Sequence, residues 1–333
     1  MTKPHIVIIG TGGTIVSSGA SGAQMTGYSI QGLDVRSIIS AVPALTEIAN
    51  IDALPLLNIG SSNIKLSDWL KLTCTINKLA EDPKIHGFVI THGTDTMEET
   101  AFFLNLTLKT EKPVVLTGSM RPATAISADG PLNLLNAVRL ASSKQAWNKG
   151  VLVSLNGQIH GARDVSKTNT VSVETFCSPT SGPLGYIIGE EIDFLTQSVK
   201  PHTLSSKFHI SESFKAEDFP RVEIILSHAD EDGHQLERCL ASKPDGIVLE
   251  LTGNSTVPAV AEKVLKDSEH QPAVVRASRT GSGPVTKGKA EWQEMQIIPG
   301  GTLSAQKCRI LLQLALHRFG RNQKVLEKIF QTY

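Results

Sequence analysis

At residues 91–100, THGTDTMEET, two hydroxyls and a carboxylate (Thr94, Asp95, Thr96) sit where the apolar run Gly87-Phe88-Val89-Ile90 gives way to a helical pattern. A threonine hydroxyl is a weak nucleophile until a base stands beside it. Lys167, in GARDVSKTNT (residues 161–170), lies among small polar residues rather than on a charged face. It is either a solvated surface lysine or an amine buried beside Thr94 and Asp95. In the second case desolvation would favour the neutral form, which can accept a hydroxyl proton. A helix start also offers free N–H groups to a developing oxyanion or a bound carboxylate. Thr96 with Glu99, and Asp95 with Glu98, have capping-box spacing. The expectation is therefore that Thr96 and Glu99 cap the helix while Thr94 and Asp95 use the same turn for chemistry. His92 reads as a packing or supporting residue.

These residues need a scaffold that brings distant loops together. Short β-branched runs alternate with longer helical patterns: HIVII then DVRSIISAV, PLLNI then LSDWLKLTCTINKLA, GFVIT then TMEETAFFLNLTLK, PVVLT then LNLLNAVRLAS, and GVLVSL. Such alternation predicts βαβ units and a mostly parallel sheet. The polar stretch PHTLSSKFHISESFKAEDFP reads as a linker, after which VEIILS, QLERCLA, GIVLEL, VPAVAEKVLKD and AVVRAS begin a second alternating series. The predicted class is α/β, with a larger N-terminal domain (1–200), a linker (201–220) and a smaller C-terminal α/β domain (221–333). Open α/β sheets bind ligands at the carboxyl ends of their strands. The loops to inspect are GTGGT, GSSN, THGTDT and TGSMRP, all rich in glycine and hydroxyls. GTGGT alone is a tight turn or a weak dinucleotide loop, since it lacks the last glycine of GxGxxG and no acidic residue closes the second strand.

With 32 basic and 32 acidic residues there is no overall field to attract nucleic acid or an anionic membrane, which points to a small-molecule substrate. Cys74, Cys177, Cys239 and Cys308 form no CxxC pair, so four unpaired thiols are expected. The ten histidines contain no HExxH or similar metal-binding cluster. The apolar run in MTKPHIVIIGTGGTI is too short for a signal h-region, so the chain is expected in the cytoplasm, or in the periplasm if a leader has been removed.

TGGTI, HGTDTMEETA, GSMRP, ADGP, RDV.KTNT and the closing GTL…K.R.LLQLAL together resemble the bacterial-type L-asparaginase family, over essentially the whole chain. The resemblance implies two α/β domains and a homotetramer of close dimers. It also implies cofactor-free hydrolysis of the side-chain amide of asparagine, and in some members of glutamine. By resemblance Thr14 of TGGTI is the nucleophile giving an acyl-enzyme, and Tyr28 is the lid tyrosine that contacts it. Thr94 and Lys167 move protons, while Asp95 holds the substrate ammonium. Which threonine attacks is left open by the residues themselves. Backbone N–H groups near Gly13 and Thr94 would face the oxyanion.

Ser61 resembles the serine that receives the substrate carboxylate, and Ser119 a pocket-wall position. Ser62 stands where the family commonly has Gln or Glu, which implies weaker substrate contacts. Asn254 in LTGNS, and by a shifted match Glu291 in KAEW, resemble residues reaching a neighbouring chain's site. Two other readings compete. The subunit of a tRNA-dependent amidotransferase would want a further domain before TGGTI, which begins here by residue 11. A non-catalytic nucleotide-binding module would not need Thr14, Thr94, Asp95 and Lys167 together.

Overall fold

The computed structural model describes residues 2–19, 21–24 and 35–333. Tyr28 lies outside them. The chain divides into two compact units, Met1–Phe214 and Lys215–Tyr333.

The first unit is built on a mixed sheet of eight strands. In chain order these are β1 (His5–Gly10), β2 (Asn50–Pro55), β3 (Ile85–Thr91), β4 (Val114–Thr117), β5 (Val151–Leu155) and β6 (Gln158–Gly161). A separate short ladder of β7 (Ser166–Lys167) and β8 (Phe176–Cys177) precedes β9 (Gly185–Ile188) and β10 (Glu191–Phe194). The spatial order is β10-β9-β6-β5-β4-β3-β1-β2. Pairing is parallel from β2 through β5. It turns antiparallel at β6, β9 and β10.

Strand periodicity sorts the core. Ile6 and Ile8 face one cluster, with Val35 and Ile38 of α1 (Val35–Ser40), Leu45 of α2 (Leu45–Ile48), and Leu134 and Val138 from the helix that follows β4. Val7 and Ile9 face the other, with Leu72 and Ile76 of α3 (Leu66–Ala80) and Ala101 and Leu104 of α4 (Met97–Thr107). The helix after β4 is α5 (Gly130–Ser142). Each such buried Val, Leu or Ile side chain contributes roughly 1.5–3 kcal/mol relative to exposure. β2 corrects the sequence reading: the strand is NIDALP rather than PLLNI. Pro55 has no N–H to continue the ladder, and beyond it Leu56 N and Leu57 N both donate to Gly10 O.

The second unit holds a parallel sheet of β11 (Val222–Leu226), β12 (Gly246–Leu251), β13 (Ala273–Ser278) and β14 (Ile298–Pro299). One face packs on α6 (His234–Ala241), α7 (Ala259–Asp267) and Trp292 of α8 (Ala290–Glu294). The largely buried α9 (Ala305–Phe319) lies on the same strands, followed by α10 (Gln323–Thr332).

The order β3-β1-β2 has a consequence for function. The chain leaves β1 toward β2 on one side and returns to β3 on the other, so their carboxyl-end loops diverge there and open a crevice.

Candidate active site

A cleft of about 480 Å³ lies at that crevice, in the size range of small-molecule sites. Its lining includes Gly13 and Thr14 after β1, Ser61 and Ser62 after β2, and Thr94 and Asp95 after β3. Met120 and Arg121 follow β4, and Lys167, Thr170 and Val171 come from the β7–β8 hairpin.

The loops meet backbone to backbone. Gly13 has φ +94°, and a Cβ there would come within 2.4 Å of Gly93 N. A Cβ on Gly93 would in turn lie 2.6 Å from Ser61 Oγ. Glycine is required at both places, at Gly13 for the left-handed backbone as well as the space. Thr14, half-buried, begins the short 3-10 turn Thr14–Val16.

Lys167 Nζ donates to Thr94 Oγ1 at 3.0 Å and to Asp95 Oδ1 at 2.7 Å. Thr94 is buried at 4% exposure. The lysine side chain is 17% exposed and that of Asp95 65%, so the carboxylate faces the open cleft. Lys167 is not a loop residue, because its backbone is paired with Phe176 across the β7–β8 ladder. Its N–H donates to Glu98 Oε2 at 3.1 Å. Glu98 therefore fixes the lysine's backbone rather than completing a capping box with Asp95.

The expected Thr96–Glu99 cap is also corrected. Thr96 occupies the N-cap position of α4, yet its side chain makes no cap hydrogen bond. Its hydroxyl donates instead to Ser61 O at 2.8 Å, fastening the β2 loop to the β3 loop. Ser61 Oγ is buried and has no hydrogen-bond partner among the described residues. A buried hydroxyl left unsatisfied costs about 1–3 kcal/mol, and a bound anion would relieve that cost.

His92 supports the turn from behind. Nδ1 lies 2.7 Å from Gly93 O and Nε2 2.9 Å from Thr100 Oγ1, which accepts from Trp69 Nε1 at 2.8 Å. Burial pushes its pKa down to about 4. The neutral ring that donates at Nδ1 and accepts at Nε2 satisfies both contacts.

Ser119 is fully buried behind the wall, and its hydroxyl donates to Arg121 O at 2.8 Å; the lining itself comes from Met120 and Arg121. Sequence reasoning missed what holds that wall. Asp129 accepts from Met120 N and Arg121 N, each at 2.9 Å, and from Asn133 Nδ2 at 3.1 Å. Its place before the proline of ADGP reads as an ordinary N-cap, yet the side chain caps nothing in α5. Asn254 and Glu291 belong to the second unit. Asn254 Nδ2 donates to Thr286 Oγ1 at 2.9 Å and Asn254 Oδ1 accepts from Thr286 N at 3.1 Å, while Glu291 is exposed on the first turn of α8.

Among the described residues no group of three metal-ligating side chains gathers, and no helix is long and apolar enough to cross a membrane.

Comparison with known proteins follows the same lines. The family profile described as "Asparaginase, N-terminal" matches residues 5–200, and that of the "Glutaminase/Asparaginase C-terminal domain" matches residues 221–330. A probable periplasmic L-asparaginase of Haemophilus influenzae is 43% identical, covering 99% of this chain and 93% of the relative. A glutaminase-asparaginase of Acinetobacter glutaminasificans is 39% identical, covering 99% of this chain and 100% of that one. The crystal structure of a probable cytoplasmic L-asparaginase from Campylobacter jejuni superposes with a TM-score of 0.93 at 40% identity, covering 99% of this chain and 100% of the other.

Proposed function

Because the chain belongs to the asparaginase–glutaminase family, we propose that it hydrolyses the side-chain amide of L-asparagine to L-aspartate and ammonia, with L-glutamine as a slower substrate. The observation that carries this reading is the Lys167 amine bonded to both Thr94 Oγ1 and Asp95 Oδ1 inside the cleft.

Thr14 Oγ1 attacks the amide carbon, and N–H groups at the Gly13–Thr14 and Gly93–Thr94 turns receive the oxyanion. The C–N bond breaks as the leaving nitrogen takes up the hydroxyl proton, which releases ammonia and leaves an ester on Thr14. Water then attacks the ester carbon, one of its protons passing by way of Thr94 and Lys167 to the Thr14 oxygen as the acyl C–O bond breaks, and aspartate departs with the Thr14 hydroxyl restored. Asp95, exposed to the cleft, holds the substrate α-ammonium, and the unpartnered Ser61 Oγ receives the α-carboxylate.

Ammonia release from purified protein with L-asparagine, L-glutamine and their D-forms tests the reading. Turnover should be fastest on L-asparagine, and no release from any of the four amides would end it.

The working assembly is a homotetramer of close dimers in which Asn254 and Glu291 complete a neighbouring chain's cleft. The motive is that every lining residue of the cleft falls before residue 172. Co-refolding Thr14→Ala with Asn254→Ala/Glu291→Ala should restore part of the activity that each lacks. Mixed oligomers, confirmed by mass, that stay at parental activity would remove both residues from the site.

A further inference from the structure

The hairpin that supplies Lys167 carries a tip that is fastened more tightly than a lysine support needs. Thr168 N and Oγ1 both donate to Thr175 O, at 2.7 and 3.0 Å, and Asn169 N donates to Thr175 Oγ1 at 3.2 Å. Asn169 Oδ1 then accepts from Val171 N and Ser172 N, each at 2.9 Å, closing a side-chain-stabilised turn. The residue so held, Val171, lines the cleft and is 63% exposed. An apolar group kept in water on a pinned turn gains only when something apolar covers it. The rest of the lining is glycine, hydroxyl or charged, apart from Met120, which is only 7% exposed.

We propose that Val171 is a specificity-determining residue that covers the substrate's side-chain methylene and so favours asparagine over the longer glutamine, and that Asn169 is the positioning residue that holds it there. This rests on the amidohydrolase reading above.

The experiment measures kcat/KM for both amides in the parent protein and in four variants, three single and one double. Val171→Ala opens space that glutamine's extra methylene can use, so the asparagine-to-glutamine ratio should fall about tenfold, the low end of a methylene-sized change in a pocket. Val171→Ile should keep or raise the ratio. Asn169→Ala should lower it without loss of thermal stability, and adding Asn169→Ala to Val171→Ala should lower it no further. A merely structural asparagine would change both amides alike. Calorimetric dissociation constants for L-aspartate and L-glutamate give a second readout that needs no turnover. If the parent binds both acids but hydrolyses neither amide, the amidohydrolase reading fails while the ratio of the two acids still tests Val171. If the amides are hydrolysed and neither ratio moves in Val171→Ala, this inference alone is overturned.

Discussion

Replacing Lys167 with methionine keeps most of the aliphatic stem and removes the ammonium. Two contacts disappear, the 3.0 Å bond to Thr94 Oγ1 and the 2.7 Å ion pair with Asp95. For stability the loss is small, because the Asp95 side chain is 65% exposed and water takes the lysine's place. Pairs with an exposed member are worth about 0.2–1 kcal/mol, and in a domain of this size each kcal/mol moves the melting temperature by about 2–4 °C. For catalysis the loss is large. A positioned proton-transfer group contributes about 10²- to 10⁴-fold in rate, or roughly 3–5.5 kcal/mol of barrier. The variant should therefore melt within about 4 °C of the parent. It should still bind L-aspartate by calorimetry, and its ammonia release from L-asparagine should fall at least about 100-fold. Retention of more than a tenth of the parental kcat would return Lys167 to an ordinary surface role. Activity lost only in step with melting would show that the lysine holds structure rather than protons.

The free Ser61 hydroxyl is a liability that a ligand relieves, so Ser61→Ala should leave the unliganded protein as stable or up to about 1 kcal/mol more stable, while L-aspartate affinity drops about tenfold, the worth of one hydrogen bond to a charged group; lost stability with unchanged affinity would contradict this. His92 is held neutral down to pH of about 4 against an ordinary value of 6.5. Its contribution is fully present above pH 6.5 and shrinks toward pH 4 as the unfolded chain takes up a proton the folded one refuses, by roughly 3 kcal/mol. Melting temperatures from pH 7 to 4 should fall less steeply in His92→Gln than in the parent, and equal slopes would refute the assignment. Ser62→Gln places a longer polar group in the cleft lining and should lower the Michaelis constant for asparagine; an unchanged or higher value with the fold intact counts against that role.

What the sequence made legible follows from periodicity. The alternation of apolar strands with amphipathic helices marked the α/β layers, and the glycine- and hydroxyl-rich loops after GFVI and HIVII marked the crevice. What stayed hidden depends on contacts between segments far apart in the chain. Thr96 has the local signature of a cap, but Ser61 O, 35 positions away, captures its hydroxyl. Glu98 fits the same local signature and serves Lys167, 69 positions on. PLLNI reads as a strand until Pro55 is seen to end the ladder. Asp129 looks like a helix cap, and its use as a clasp for the Met120 and Arg121 amides cannot be read from spacing. Val171 gave no signal, since an exposed valine in a loop acquires meaning only from the cleft beside it.

The most direct measurement of the central claim is the turnover of Thr14→Ala on L-asparagine, in protein shown by its melting curve to be folded. The account predicts a loss of about three orders of magnitude or more, because the substitution removes the attacking atom from an otherwise intact cleft. A variant that keeps more than a tenth of the parental rate would contradict it, and the amide carbon would have to be attacked by something other than Thr14.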